Sequence, residues 1–183
     1  MPPERWITAP VSLCPTEAHD NPSLPARARG LGQGGRQVFL STFEKQLDAK
    51  RRIVVPQDFR VALGGFDGIY CFPAIEADCL EAGGQALFER YQILIGELAV
   101  GDPLRGALET SVLGGMTRLS FDTAGRVTLP DALCEAHGII DWVALTGLGD
   151  RFQIWSRDAF QVHRAAQRQT AREGLVNLRR SAA

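Results

Sequence analysis

The chemistry-bearing residues with the most regular spacing in this chain occur twice. Asp48-Ala49-Lys50-Arg51-Arg52 and Asp122-Thr123-Ala124-Gly125-Arg126 each place an aspartate four residues before an arginine, 74 positions apart. In a tight turn of this kind the carboxylate accepts backbone N–H groups, and Gly125 supplies the positive φ that other residues avoid. Arginine at the edge of a sheet offers a planar fork of donors that fits phosphate oxygens or the O6/N7 edge of guanine. The same pair could instead be an internal Asp–Arg contact that pins a hairpin, and spacing alone leaves both readings open. Lys50 and Arg51 enrich the first copy. Phe43 to Leu63 carries five cations against three anions, whereas Thr117 to His137 carries two against three. By sequence the first copy is the more phosphate-seeking one.

Other chemistries find little support. His19, His137 and His163 lack a nearby nucleophile pattern. The glycine-rich run Gly32 to Gly35 lacks the lysine of a phosphate-binding loop. Cys134 and His137 sit three apart on an expected helix, but two ligands fall short of the four of a structural zinc site. Cys14, Cys71, Cys79 and Cys134 show no paired spacing, so the last three are expected to be reduced core thiols. Neither enzymatic activity nor a cofactor or metal is expected.

The match between the copies extends well beyond the turns. Arg52-Ile53-Val54-Val55-Pro56 answers Arg126-Val127-Thr128-Leu129-Pro130, and Phe59, Ala62 and Gly64 answer Leu133, Ala136 and Gly138. A supersecondary unit used twice implies internal pseudo-twofold symmetry. Each unit is expected to run strand, turn, strand, then a helix started by proline and stopped by glycine. Strands are expected at 38–43, 52–55, 68–72, 116–121, 126–129, 142–146 and 152–155. Residues 74–108 are expected to be mainly helical, with Leu80, Leu87, Tyr91, Leu94, Ile95 and Leu98 on one buried face and breaks at Gly83-Gly84 and Gly101-Asp102-Pro103. The strand end Phe72-Pro73 is matched with Trp155-Ser156, giving the second copy the longer connection. From about Arg157 a last helix carries Arg164, Arg168 and Arg172 on one face, as either a solvated stripe or a contact surface.

Composition sets outer bounds. With 183 residues, 45% hydrophobic and 22% charged, the chain can build a substantial core. Its net charge of -1 argues against coating nucleic acid by bulk electrostatics, although local recognition stays open. No apolar stretch has the roughly 20 residues of a spanning helix, and no secretory signal is evident. Cytoplasmic residence is the default expectation, with no membrane partner. Residues 1–37, rich in proline and then glycine, are expected to form a disordered extension. A further hypothesis starts the natural chain near Val38, and detection of peptides from residues 1–36 would sink it. The expected division is 38–110 for the first repeat with a helical linker, 111–172 for the second, and 173–183 for a flexible tail.

The order of strand, Asp-x-x-x-Arg turn, β-branched strand and proline-led helix, present twice over residues 38 to 170, resembles the MraZ family of bacterial transcriptional regulators. That resemblance implies an α+β fold: an internally duplicated, AbrB-like swapped-hairpin β-barrel with flanking helices. It also implies DNA contact through Asp48, Arg52, Asp122 and Arg126, with Lys50 and Arg51 as neighbouring candidates in the first turn. The implied partners are double-stranded promoter DNA with short direct repeats and a ring-like homo-oligomer of the chain itself. The implied role is repression of the division and cell-wall gene cluster from a nucleoid-associated position. Two departures stand out. Arg51 occupies the usual glycine position of the first turn, where a left-handed backbone costs a non-glycine residue roughly 1 to 2 kcal/mol. Either this turn takes another conformation, or Arg51 tolerates the strain and adds a phosphate contact. Cys134 replaces an arginine that Arg60 retains in the first copy. A dimeric AbrB-like or antitoxin-type regulator and a non-DNA-binding protein scaffold are the competing readings.

Overall fold

A computed structural model of the chain describes residues 38–181, so the expectations for residues 1–37 lie outside the described residues. Its elements are β1 (Thr42–Gln46), β2 (Arg52–Val54), α1 (Gln57–Ala62), β3 (Ile69–Pro73), β4 (Leu80–Gly83), α2 (Gln85–Gly96), α3 (Pro103–Leu108), β5 (Thr117–Leu119), β6 (Arg126–Thr128), α4 (Asp131–Ala136), β7 (Trp142–Gly147), β8 (Phe152–Ser156) and α5 (Arg157–Ser181). A five-residue π-helical turn, Glu109–Leu113, follows α3.

Six strands form an antiparallel sheet in the order β1-β7-β8-β4-β3-β5, while β2 and β6 pair only with each other. The fold is α+β as expected, but the described strands do not close into a barrel. β1 and β5 remain the two edges of the sheet, because the turn after each sends the next strand out into the separate β2–β6 ribbon.

The registers give the duplication its geometry. β1 of the first copy pairs with β7 of the second, aligning Lys45 with Val143, and β5 of the second pairs with β3 of the first, aligning Leu119 with Ile69. Moving each residue of the first pair into the other copy by 74 positions yields the second pair. The β2–β6 ribbon maps onto itself by the same operation, with Ile53 facing Val127 at its centre. The pseudo-twofold axis therefore passes through the ribbon, and the copies exchange their outer strands.

This register corrects the expected strand equivalence. β3 matches β7, so Phe72 corresponds to Thr146 and not to Trp155. The link from β3 to β4 covers residues 74–79 and that from β7 to β8 covers 148–151, so the second copy has the shorter connection. β4 corrects the expected helix over 74–108. Leu80, Glu81 and Ala82 are all buried between β3 and β8, and a strand covered on both faces shows no alternation to read. Leu94, expected on the buried helical face, is 50% exposed on α2.

Two apolar layers flank the sheet. On one face Ile53, Val55, Phe59, Val127 and Leu129 of the ribbon and α1 pack onto Cys71, Leu80, Leu145, Phe152 and Ile154. On the other, Phe72 meets Leu87 of α2 and Val112, while Trp155 and Ala144 meet Phe160 of α5. Among the described residues one charged side chain is buried: Glu81 accepts a hydrogen bond from Tyr91 Oη at 3.0 Å and lies 3.3 to 3.4 Å from Arg151 and Arg90 nitrogens. Pro56 and Pro130 take the cap position just before α1 and α4, where no backbone donor is required of them. Past Phe160, α5 is largely exposed and runs to Ser181, into the segment 173–183 expected as the tail. Among the described residues no helix is long and apolar enough to cross a membrane.

Candidate nucleic-acid interface

Each turn is built around its aspartate. Asp48 Oδ1 accepts the backbone N–H of Lys50 at 2.9 Å and of Arg52 at 3.0 Å, while Oδ2 accepts Arg52 Nε at 2.7 Å. Asp122 repeats the pattern with Ala124 N, Arg126 N and Arg126 Nε at 2.9, 2.9 and 2.7 Å. In both turns the backbone closes through N–H of the third residue after the aspartate onto the aspartate carbonyl, at 2.9 Å. A carboxylate with several N–H donors is stabilised in its ionised form. Asp48 is accordingly held below the ordinary aspartate range, chiefly by the Arg52 backbone N–H, and Asp122 likewise by that of Arg126.

Pairing of β2 with β6 brings the two turns side by side. Arg52 Nη1 lies 3.9 Å from Asp122 Oδ2, and Arg126 Nη1 lies 3.9 Å from Asp48 Oδ2. Asp48, Arg52, Asp122 and Arg126 thus form one reciprocal ring of charges around the pseudo-twofold axis. All four side chains are 29 to 35% exposed. Spacing left open an internal pair or a solvent-facing arginine, and the geometry contains both features. Nε of each arginine, and Nη2 of Arg52, are committed to the aspartate of their own turn, and both guanidinium groups are partly exposed. Lys50 is exposed beside the first turn.

The residues around the turns differ between copies. Arg51 does take the left-handed conformation, with φ 54°, against φ 71° at Gly125. Its side chain turns onto α4, where Nε pairs with Asp131 Oδ1 at 2.6 Å and Nη2 lies 3.7 Å from Glu135 Oε1. Contact with the Cys134 thiol, ahead of those two carboxylates, holds the Arg51 guanidinium above its ordinary range. At the second turn the guanidinium comes from the helix. Arg60 of α1 lies over Gly125 so closely that a Cβ there would meet Arg60 Nη1 at 2.5 Å.

Matching clefts flank the turns. One, of about 560 Å³, is lined by Asp48, Arg51, Cys134, Glu135 and Asp141; the other, of about 310 Å³, by Arg60, Phe66, Asp67, Asp122 and Gly125. Phe66 of the second cleft is covered by the Arg118 guanidinium, 5.0 Å from its ring centre. The first-copy counterpart of Arg118 is Glu44, which pairs with Arg157 at 3.4 Å.

Arg60 is the neighbour that the sequence reading left out of the site. Its signal was present in the paired departures: arginine for glycine at 51 is accompanied by cysteine for arginine at 134. Cys134 and His137 do not converge on a common ligand position. Cys134 lies under Arg51, and His137 Nδ1 meets Asp78 Oδ1 at 2.8 Å. Among the described residues no three His, Cys, Asp or Glu side chains are grouped as a metal site.

The family model described as "MraZ protein, putative antitoxin-like" matches residues 112–175, essentially the second copy. A protein of Phenylobacterium zucineum named transcriptional regulator MraZ is 71% identical over 143 residues, covering 78% of this chain and 89% of that protein. One of Caulobacter vibrioides with the same name is also 71% identical over 143 residues, covering 78% and 92%. One of Hyphomonas neptunium is 37% identical over 132 residues, covering 72% and 80%. A duplicated turn-and-ribbon unit, together with identity of this level over most of both chains, establishes that the chain belongs to the MraZ family, as do these transcriptional regulators.

Proposed function

We propose that this protein regulates transcription by binding promoter DNA in a sequence-specific manner, through the face that carries the Asp48–Arg52 and Asp122–Arg126 turns. The observation that carries the reading is the reciprocal charge ring. Two partly exposed guanidinium groups sit together on one ribbon, each held by an aspartate in a fixed orientation. Preorganised arginines of this kind suit phosphate and guanine edges, because little side-chain freedom is lost on binding. The names of the relatives support a regulatory role.

The finer picture belongs to the same proposal. The reciprocal exchange of β1 and β5 supports placement among AbrB-like swapped-hairpin folds. A near-neutral subunit gains affinity if several copies line one surface, so a ring-like homo-oligomer reading short direct repeats is the assembly we favour. Repression of the division and cell-wall gene cluster, in the cytoplasm and at the nucleoid, completes the reading.

Binding to a labelled fragment from upstream of the protein's own gene, against a shuffled fragment and across a salt series, tests it. Preferential binding that weakens steeply with salt is expected, because each neutralised phosphate releases counterions. Equal weak binding to both fragments by a folded oligomer would move the reading to a protein-binding scaffold.

A further inference from the structure

The two turns share a backbone and yet present different cations. Arg51 and Gly125 are equivalent positions, as are Cys134 and Arg60. In each copy the arginine crosses the same gap between turn and helix, from the turn side in one and from the helix side in the other. Crossing in opposite directions has an electrostatic consequence. Arg51 ends between Asp131 and Glu135, both well exposed on α4, and is neutralised there. The α1 counterparts of those carboxylates are Gln57 and Val61, so nothing on that helix neutralises Arg60 in the same way. Among the described residues neither Arg60 nor Arg118 forms an ion pair; Arg60 lines the second cleft, and Arg118 covers its Phe66.

We propose that the two faces are functionally unequal: Arg60, flanked by Arg118, contacts DNA phosphate beside the second turn, whereas Arg51 is a clasp that fixes the first turn and does not contact DNA. This inference rests on the DNA-binding reading above. It places the phosphate contact on a composite face, a turn from the second copy with a helix from the first. The local cation count, which favours the first copy, does not anticipate such a face.

The test compares full-length wild-type protein with Arg60→Gln, Arg51→Gln and the double variant Asp131→Asn/Glu135→Gln. Each is titrated with the upstream duplex across a salt series, after circular dichroism and size measurements establish fold and assembly. Arg60→Gln is expected to lower affinity about three- to tenfold and to reduce the salt slope by about one unit per engaged subunit. Arg51→Gln is expected to leave the slope unchanged. The double variant, altered only at exposed side chains, frees Arg51 and is expected to raise affinity about two- to fivefold. Loss of slope in Arg51→Gln with none in Arg60→Gln would overturn the assignment while leaving DNA binding intact. So would a double variant with unchanged affinity. Wild-type protein that ignores the duplex would remove the DNA-binding reading and this inference together.

Discussion

The first and second turns are a comparison made by the molecule itself. Their backbones follow one path, down to the left-handed residue at Arg51 and Gly125. Their aspartates accept equivalent donors at nearly equal distances. What differs is which element supplies the covering guanidinium, and with it the charge left exposed to solvent. Backbone geometry in this unit is thus set by the aspartate and its N–H donors, while side-chain identity around it is free to move across the gap, provided the gap is filled.

The copies also differ beneath the turns, and there the largest effect is expected. Phe59 of α1 is fully buried, with its ring centroid 5.0 to 5.4 Å from those of Phe39, Phe43 and Phe152. Its counterpart Leu133 on α4 is only partly buried. Phe59→Ala should cost about 3 to 5 kcal/mol in chemical denaturation, since a large cavity opens among rings that cannot all collapse into it. Leu133→Ala should cost about 1 to 2 kcal/mol, in proportion to the smaller area it removes from water. Equal losses would show that the halves contribute alike to the core and would break the comparison.

Acid sharpens it next. Both aspartates ionise below their ordinary range near 3.8, so each contributes stability that is fully present above that value and lost as pH falls through the lower, folded-state pKa. Asp48→Asn and Asp122→Asn should therefore lower the urea midpoint at pH 7, with the gap from wild type narrowing below about pH 4. Because the two carboxylates share one ring, the double variant should lose less than the sum of the singles. Strict additivity would separate the turns and remove the ring as a unit.

A smaller effect is expected at the left-handed position. Gly125→Ala forces a Cβ into a positive-φ backbone, at a cost of about 1 to 2 kcal/mol, and pushes the Arg60 guanidinium off the turn. It should weaken DNA binding as Arg60→Gln does, although no charge is removed. Unchanged binding would mean that the placement of Arg60 is unimportant.

How much of this was legible in the sequence follows the range of the interactions. The twin turns could be read because their chemistry is local, an aspartate bonding to N–H groups two and four residues on. The proline-led helices and their glycine ends were legible for the same reason. β4 was not, because a central strand buried on both faces carries no period of two, and its Leu80 fitted a helical spacing by coincidence. Nor was the ribbon, since the pairing of Ile53 with Val127 joins residues 74 apart and leaves no local trace. The covering arginines lay between these cases. Both substitutions were visible, but only the exchange of strands shows that residue 51 faces residue 134 and residue 60 faces residue 125.

The least effect, and the most direct on that facing, concerns a thiol. Burial pushes Cys134 above the ordinary cysteine range, while the nearby Arg51 guanidinium pulls the other way. Burial also raises Cys71 and Cys79, to about 12 each. None of the three should alkylate readily in the native protein at neutral pH, since the thiolate is the reactive form. Arg51→Gly relieves the backbone strain and takes away the side chain that lies over Cys134. Opening the site lowers the desolvation penalty, but loss of the guanidinium removes a stabiliser of the thiolate, so access should govern the outcome. Cys134 should then label several-fold faster, with Cys71 and Cys79 unchanged as internal controls, as read by peptide mass spectrometry after a timed iodoacetamide pulse. Adding Cys134→Arg to Arg51→Gly would recreate the arrangement at Gly125 and Arg60. That pair should be more stable than Cys134→Arg alone, because a second guanidinium has room only once the first has been removed.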